Sequence, residues 1–377
     1  MQNLLTPFTE QLPEALAFLE QMVSMESPSY DKELTDKFVQ FLATKFQEIG
    51  GEVDIVPAAK VGNHLRVNFP DRSKERVLLL GHTDTVWTAG EIMKRPFKIE
   101  NARATGPGVF DMKAGVLLMW MVLRALKARP VTVLLNSDEE IGSGSSRGLI
   151  ESEASQCRAV LVLEPSLPGG ALKTARKGVG RFTVKAIGRS AHAGIDPGKG
   201  VNAVEEISRQ ILKLHSMTDP TRNTTVTVGV VQGGTRPNVV PAEAAAEIDV
   251  RTATIEEARR IAAMIKALAP ELPEARLEIR GGINRPPMER NTETARLFGA
   301  AREIAAQLGV DLKEGSTGGA SDGNFTSALG IPTLDGLGAV GGGAHAIHEW
   351  IEIESLPQRA ALLAGLIRYC SSPGQRV

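Results

Sequence analysis

Apolar positions recur at helical spacing over residues 9–25 and 31–49, and Gly50-Gly51 closes the second run. Short segments rich in aliphatic and β-branched residues follow at 52–56, 64–69 and 76–80, the last almost continuously apolar. Such an uninterrupted run is what a central strand covered on both faces requires. A buried helix over about 113–127, a strand at 131–136, a helix near 144–154 and a strand at 159–163 continue the alternation. Strands alternating with helices predict an α/β layer with a largely parallel sheet.

The rhythm changes near Gly178. Strand 181–187, helix 200–215, strands 224–231 and 245–251, helix 255–268 and strand 276–283 read as β-α-β-β-α-β, the order of a ferredoxin-like unit. After Pro286-Pro287 the first style resumes, with a helix near 292–308, a glycine-rich loop at 315–323 and a last helix near 355–370. The expected organisation is a discontinuous α/β domain, residues 1–178 and 288–377, interrupted by a smaller domain at 179–287.

Charge and composition narrow the classes of function. Lys and Arg total 43 against 44 Asp and Glu, with no dense basic run, so a phosphate-neutralising nucleic-acid binder is excluded. No stretch approaches the roughly 18 apolar residues of a membrane helix, and none is predicted. The N-terminus lacks the basic and apolar regions of a secretory signal, which predicts a cytoplasmic protein, or a periplasmic one if a signal peptide has been removed. Two cysteines build neither a disulfide framework nor a thiolate zinc site.

Chemistry-bearing residues gather where predicted strands end, the edge at which open α/β sheets place ligands. Strand 76–80 runs into Gly81-His82-Thr83-Asp84, where His82 offers a ring nitrogen and Asp84 an acceptor for the other ring N–H. Asp111 sits in a Gly/Pro-rich turn at the mouth of the buried helix, where capping alone would account for it, or where two carboxylate oxygens bridge two ions. Strand 131–136 ends in Ser137-Asp138-Glu139-Glu140, three acids that repel one another unless solvent, protons or cations relieve them. One of the glutamates can ligate while its neighbour accepts a proton from water. Strand 159–163 ends in Glu164-Pro165, and a glycine-rich stretch leads into His345-Ala-Ile-His348-Glu349. Histidines and carboxylates without thiolates suit a catalytic zinc site rather than a structural one.

The ordered set Gly-His82-Thr-Asp84, Asp111-Met-Lys-x-Gly, Asp-Glu139-Glu140-x-Gly-Ser, Leu-Glu164-Pro and His345-x-x-x-Glu349 resembles the co-catalytic di-zinc peptidases and amidohydrolases. That family includes glutamate carboxypeptidases, succinyl-diaminopimelate desuccinylases and aminoacylases, and the detailed pattern is most similar to the bacterial glutamate carboxypeptidases. The resemblance spans the whole chain. It implies a three-layer catalytic domain and an inserted lid and dimerisation domain.

It also implies two Zn2+ per subunit, with Co2+ or Mn2+ as substitutes. One would be held by His82, Asp111 and Glu164, the other by Asp111, Glu140 and His345. The peptide bond after Asp111 is expected to be cis. Asp84 would orient His82, and Glu139 would act as general base toward a metal-bridging hydroxide that attacks an amide carbonyl. His192, in Gly188-Arg-Ser-Ala-His192, matches a lid histidine that stabilises the oxyanion across a homodimer. Arg285 matches an arginine that grips a free α-carboxylate, and Asn238 a lid asparagine near the scissile bond. Arg251, and Lys177 beside Lys173 and Arg176, would read a second carboxylate.

The expected function is hydrolysis of the amide bond to a C-terminal amino acid, glutamate first, in a small-molecule or peptide substrate with a free carboxylate. A broad N-acyl-amino-acid deacylase or dipeptidase is the alternative, and a non-catalytic binding protein on the same scaffold the alternative of another class. His64, His215 and His348 have no assigned role.

Overall fold

The computed structural model describes residues 5–69, 76–126 and 130–372. The chain divides into two compact units. One comprises Met1–Ala175, Arg290–Ser316 and Ser321–Val377; the other comprises Arg176–Glu289 and Thr317–Ala320.

The first unit is built on a six-stranded sheet in the order Glu52–Val56, His64–Phe69, Val131–Asn136, Val77–His82, Ala159–Val162, Thr333–Leu334. The four strands from Val131–Asn136 onward are parallel, and the two outer ones pair antiparallel. Every residue of Val77–His82 is buried, and the strand's alternation sends Val77 and Leu79 to one side and Leu78 and Leu80 to the other. The first side packs on helices Leu12–Ser24, Lys32–Glu48, Ala114–Ala125, Thr292–Gln307 and Leu356–Ser371, the second on Arg147–Ala154 and Gly323–Ala328. Each Leu, Val or Phe buried there contributes roughly 1.5–3 kcal/mol relative to exposure. A sheet sandwiched this way leaves only its strand ends open to chemistry.

The predicted helix over 113–127 is Ala114–Ala125, and Lys127 lies outside the described residues. A second sheet, Gly341–Gly342, Trp350–Glu352, Arg103–Thr105, Lys98–Glu100, is antiparallel throughout. Its strands have two or three residues, too few for periodicity to reveal, yet they seat the segment around His345 in this unit. Among the described residues no helix is long and apolar enough to cross a membrane.

The second unit has the element order β-α-β-β-α-β, with an antiparallel sheet ordered Thr225–Gly233, Glu243–Thr252, Gly178–Ile187, Arg276–Arg285. Helices Ala203–Ser216 and Ile255–Lys266 lay apolar faces on it, with Ile207, Leu214, Ile261 and Ile265 buried against Phe182, Val184, Ile248 and Val250. Their starts are capped by Asn202, which accepts from the Val204 and Glu205 N–H groups, and by Thr254, which accepts from Glu257. Thr317–Ala320, read from sequence as part of the larger domain, belongs to this unit. Lys177 N–H donates to the Thr317 carbonyl (3.0 Å) and Arg176 Nη1 to that of Gly319 (3.2 Å).

Candidate metal centre

His82 ends strand Val77–His82 and is 3% exposed. Its Nδ1–H donates to the backbone carbonyl of Asp84 (2.9 Å), nearer than the Asp84 carboxylate at 3.4 Å. That bond fixes the tautomer and turns the Nε2 lone pair outward. The expected orienting role of Asp84 is thus met first by its main chain. The carboxylate instead accepts N–H bonds from Glu139 and Glu140, each 3.2 Å, and the Ser29 hydroxyl at 2.8 Å. It ties the His82 loop to the acidic loop.

His82 Nε2 lies 3.3 Å from Asp111 Oδ1 and 3.5 Å from Glu164 Oε1. His345 Nε2 lies 3.2 Å from Asp111 Oδ2 and 3.2 Å from Glu140 Oε2. The two oxygens of Asp111 therefore face different histidines. Ligand atoms of His82, Glu139 and Glu164 all lie within 4.8 Å of one another, as do those of His82, Asp111 and Glu140. Asp111 precedes helix Ala114–Ala125 in a non-helical conformation (φ −111°, ψ 94°), and its bond to Met112 is cis. His345 has a φ of 61°, uncommon outside glycine although histidine is among the residues that adopt it, and sits in the turn after Gly341–Gly342.

Electrostatics test whether cations fit here. Burial opposes a charged His82, yet hydrogen bonds to Asp111, Asp84 and Glu164 outweigh it and raise the imidazole well above its ordinary value. Asp111 and Glu140 raise His345 to about 11. Burial pushes Glu140 up, while His345 and His82 overcome burial at Asp111 and hold its carboxyl far below the usual range. The acids thus draw positive charge to both imidazoles, a demand divalent ions would meet. Tetrahedral ligands at zinc bond lengths of about 2.0–2.1 Å lie about 3.3–3.4 Å from one another, and the four nitrogen–oxygen spacings run from 3.2 to 3.5 Å. Among the described residues, buried Glu140 Oε1 has no hydrogen-bond partner. The donor set fits two such ions sharing Asp111.

The acidic run is divided by its surroundings. Asp138 turns inward and accepts from the Ser145 N–H (2.7 Å) and from the hydroxyls of Ser145 (2.8 Å) and Ser146 (2.5 Å). Glu139 and Glu140 are left to the cluster. His64, without a role in the sequence, supports the same loop. Its Nδ1 accepts the Ser137 N–H (3.2 Å), so its Nε2–H donates to Ser145 Oγ (3.1 Å), and burial lowers its pKa. No motif announces it, because its partners are backbone and serine groups 73 and 81 residues away.

The remaining candidates lie in the second unit. His192 is exposed, and its Nδ1 accepts N–H bonds from Gly194 (3.1 Å) and Ile195 (3.2 Å), leaving Nε2–H as a donor. It pairs with Val239, and the carbonyl of Asn238 accepts the Ala193 N–H (3.0 Å), so His192 and Asn238 are neighbours. Arg285 ends strand Arg276–Arg285 and is buried. Arg251 is held bidentately by Asp249 (2.8 and 3.0 Å). Lys177 is half-buried between two strands.

A three-layer α/β unit with paired histidine and carboxylate ligands at its strand ends defines a metal-dependent hydrolase. Residues 78–369 match the model of peptidase family M20/M25/M40, and the chain belongs to that family. It is 31% identical over 375 residues to carboxypeptidase G2 of Pseudomonas sp. (strain RS-16), covering 95% of this chain and 90% of the relative. Among solved structures it is similar to the M20 metallo-carboxypeptidase Sso-CP2 of Sulfolobus solfataricus, with a TM-score of 0.71 and 16% identity over 95% of this chain and 99% of the other. It is also similar to YXEP of Bacillus subtilis, described as a dinuclear metal-binding peptidase, at TM-score 0.67 and 18% identity, over 95% and 98% of the two chains.

Proposed function

We propose that this protein is a di-zinc carboxypeptidase that hydrolyses the amide bond to a C-terminal amino acid, glutamate first, in N-acyl or peptidyl substrates. The observation that carries the reading is Asp111, whose Oδ1 faces His82 at 3.3 Å and whose Oδ2 faces His345 at 3.2 Å. His82, Asp111 and Glu164 would hold one ion, and Asp111, Glu140 and His345 the other. When bound, two such ions acidify water and polarise the scissile carbonyl. Co2+ or Mn2+ would serve the same donors.

Glu139, on the loop held by Asp84, accepts the proton of the attacking water and returns it to the departing amine. Its position on a loop tied by backbone bonds keeps its carboxylate near His82 and Glu164. His192 supplies an N–H donor for the carbonyl oxygen as charge develops there, acting across a homodimer. The exposed edge strand Thr225–Gly233, with Val230 and Val231 solvent-facing, supports such pairing. Arg285 clamps the α-carboxylate bidentately, Asn238 stands beside His192, and Lys177 supplies a cation for the glutamate side chain.

The test is hydrolysis of an N-acyl-amino-acid panel that varies only the C-terminal residue, before and after chelation. Fastest turnover of the glutamate member, lost on chelation and restored by zinc, is expected. A flat response across the panel would reject glutamate preference for a broad deacylase. Activity indifferent to chelation would reject the mechanism.

A further inference from the structure

Glu349 lies four residues after His345, is 1% exposed, and takes no part in the proposed ligand set. Its carboxylate accepts four N–H groups. Oε1 takes those of Phe110 (2.8 Å) and Asp111 (2.9 Å); Oε2 takes those of Gly108 (2.9 Å) and the Trp87 indole (3.2 Å). These donors come from two segments besides its own. Trp87 follows Asp84 by three residues, and Gly108, Phe110 and Asp111 form the turn into helix Ala114–Ala125.

We propose that Glu349 is a positioning residue that latches the three ligand-bearing segments 82–87, 108–111 and 345–349 to one carboxylate, and so sets the aim of Asp111 at both metals. The proposal rests on the ligand reading above. Segment 345–349 grips Asp111 at both ends, since His345 faces its Oδ2 while Glu349 holds its backbone N–H. Backbone N–H groups at 108, 110 and 111 precede a helix and have no carbonyl one turn back to receive them. A buried acceptor with four lone-pair sites satisfies them together. No neutral side chain does so. A glutamine would keep one carbonyl oxygen for Phe110 and Asp111 and turn its NH2 against the donors of Gly108 and Trp87.

The experiment is zinc titration of the metal-free wild-type, E349Q and W87F proteins by calorimetry, with visible spectra of their Co2+ forms and thermal unfolding of the metal-free chains. E349Q is expected to unfold cooperatively without metal, to bind zinc about 10–100-fold more weakly at one or both sites, and to show altered Co2+ bands. W87F keeps the three backbone bonds and loses only the tie to segment 82–87, and is expected to weaken zinc binding less than E349Q does. Wild-type affinity and spectra in E349Q would overturn the latch alone. So would a loss in W87F equal to that in E349Q, or a metal-free E349Q chain without a cooperative transition, which would make the role general to the fold. A wild-type chain that takes up no metal would overturn the proposed function and the latch together.

Discussion

Burial and charge act on single side chains here in ways that can be measured. Glu139 sits on a loop whose backbone is bonded to Asp84, so replacing it by Gln removes a proton acceptor while keeping that bond. A kcat loss of about 10²–10⁴ with unchanged zinc content is expected, read by steady-state kinetics and metal analysis. His64 offers a pH test away from the ligands. Its charged form is disfavoured by burial and by Lys32, against the raising pull of Asp138, Asp84 and Asp322, so its folded-state pKa lies below the ordinary 6.5. Above pH 6.5 the imidazole is neutral in both states and its contribution is complete. As pH falls below that, the unfolded chain takes the proton first, and stability is lost until the folded-state pKa is reached. Urea unfolding of the metal-free protein from pH 7.5 to 5.5 is expected to show this component, at most about 1.4 kcal/mol per pH unit. His64→Gln should make the fall shallower by that amount.

At the scale of elements, two helical glycines separate packing from propensity. A Cβ at Gly115, in helix Ala114–Ala125, would run into the carbonyl oxygen of Leu163, a backbone atom beside Glu164 that cannot turn aside. Gly148, in helix Arg147–Ala154, is exposed with nothing near its Cβ position. Gly115→Ala is expected to destabilise by about 1–3 kcal/mol through overpacking, and Gly148→Ala to stabilise by up to about 1 kcal/mol. Urea midpoints of the two variants check both signs. Long elements such as Val131–Asn136 were legible in sequence because a buried strand must be continuously apolar. The four short strands of the sheet that holds Trp350–Glu352 were not, since two or three residues carry no period and their pairing is set by partners up to 249 residues away. Thr317–Ala320 escaped for a related reason: its hydrogen bonds to Arg176 and Lys177 are tertiary.

For the molecule as a whole, ligands that bind only the folded state add to its stability. About two zinc ions per chain are expected by elemental analysis. Chelation should lower the melting temperature, and at free zinc 100-fold above Kd the gain per site is about 2.7 kcal/mol. Dimerisation has its own assay. If His192 acts across subunits, inactive His192→Ala and Glu139→Ala proteins, mixed and allowed to exchange at random, should recover about a quarter of wild-type activity, one restored site in half of the dimers. No recovery with exchange demonstrated would show that His192 acts within its own subunit or not at all.

What the amino-acid order determined alone is the set of longer elements and the chemical identity of the cluster. Apolar continuity marks central strands, and a His, Asp or Glu standing where such a run stops lies at the sheet's open edge whatever the loops do. The ligand types, the scarcity of thiolates and the family resemblance were all available at that level. Only the tertiary structure decided how the polar groups are shared. It turned Asp138 inward and left Glu139 and Glu140 to the cluster, gave His82 a carbonyl rather than a carboxylate as nearest partner, paired Arg251 with Asp249, and gave His64 and Glu349 their work. The physical reason is that burial obliges each polar atom to find a partner, and those partners are mostly backbone groups or side chains far along the chain, which no local pattern encodes.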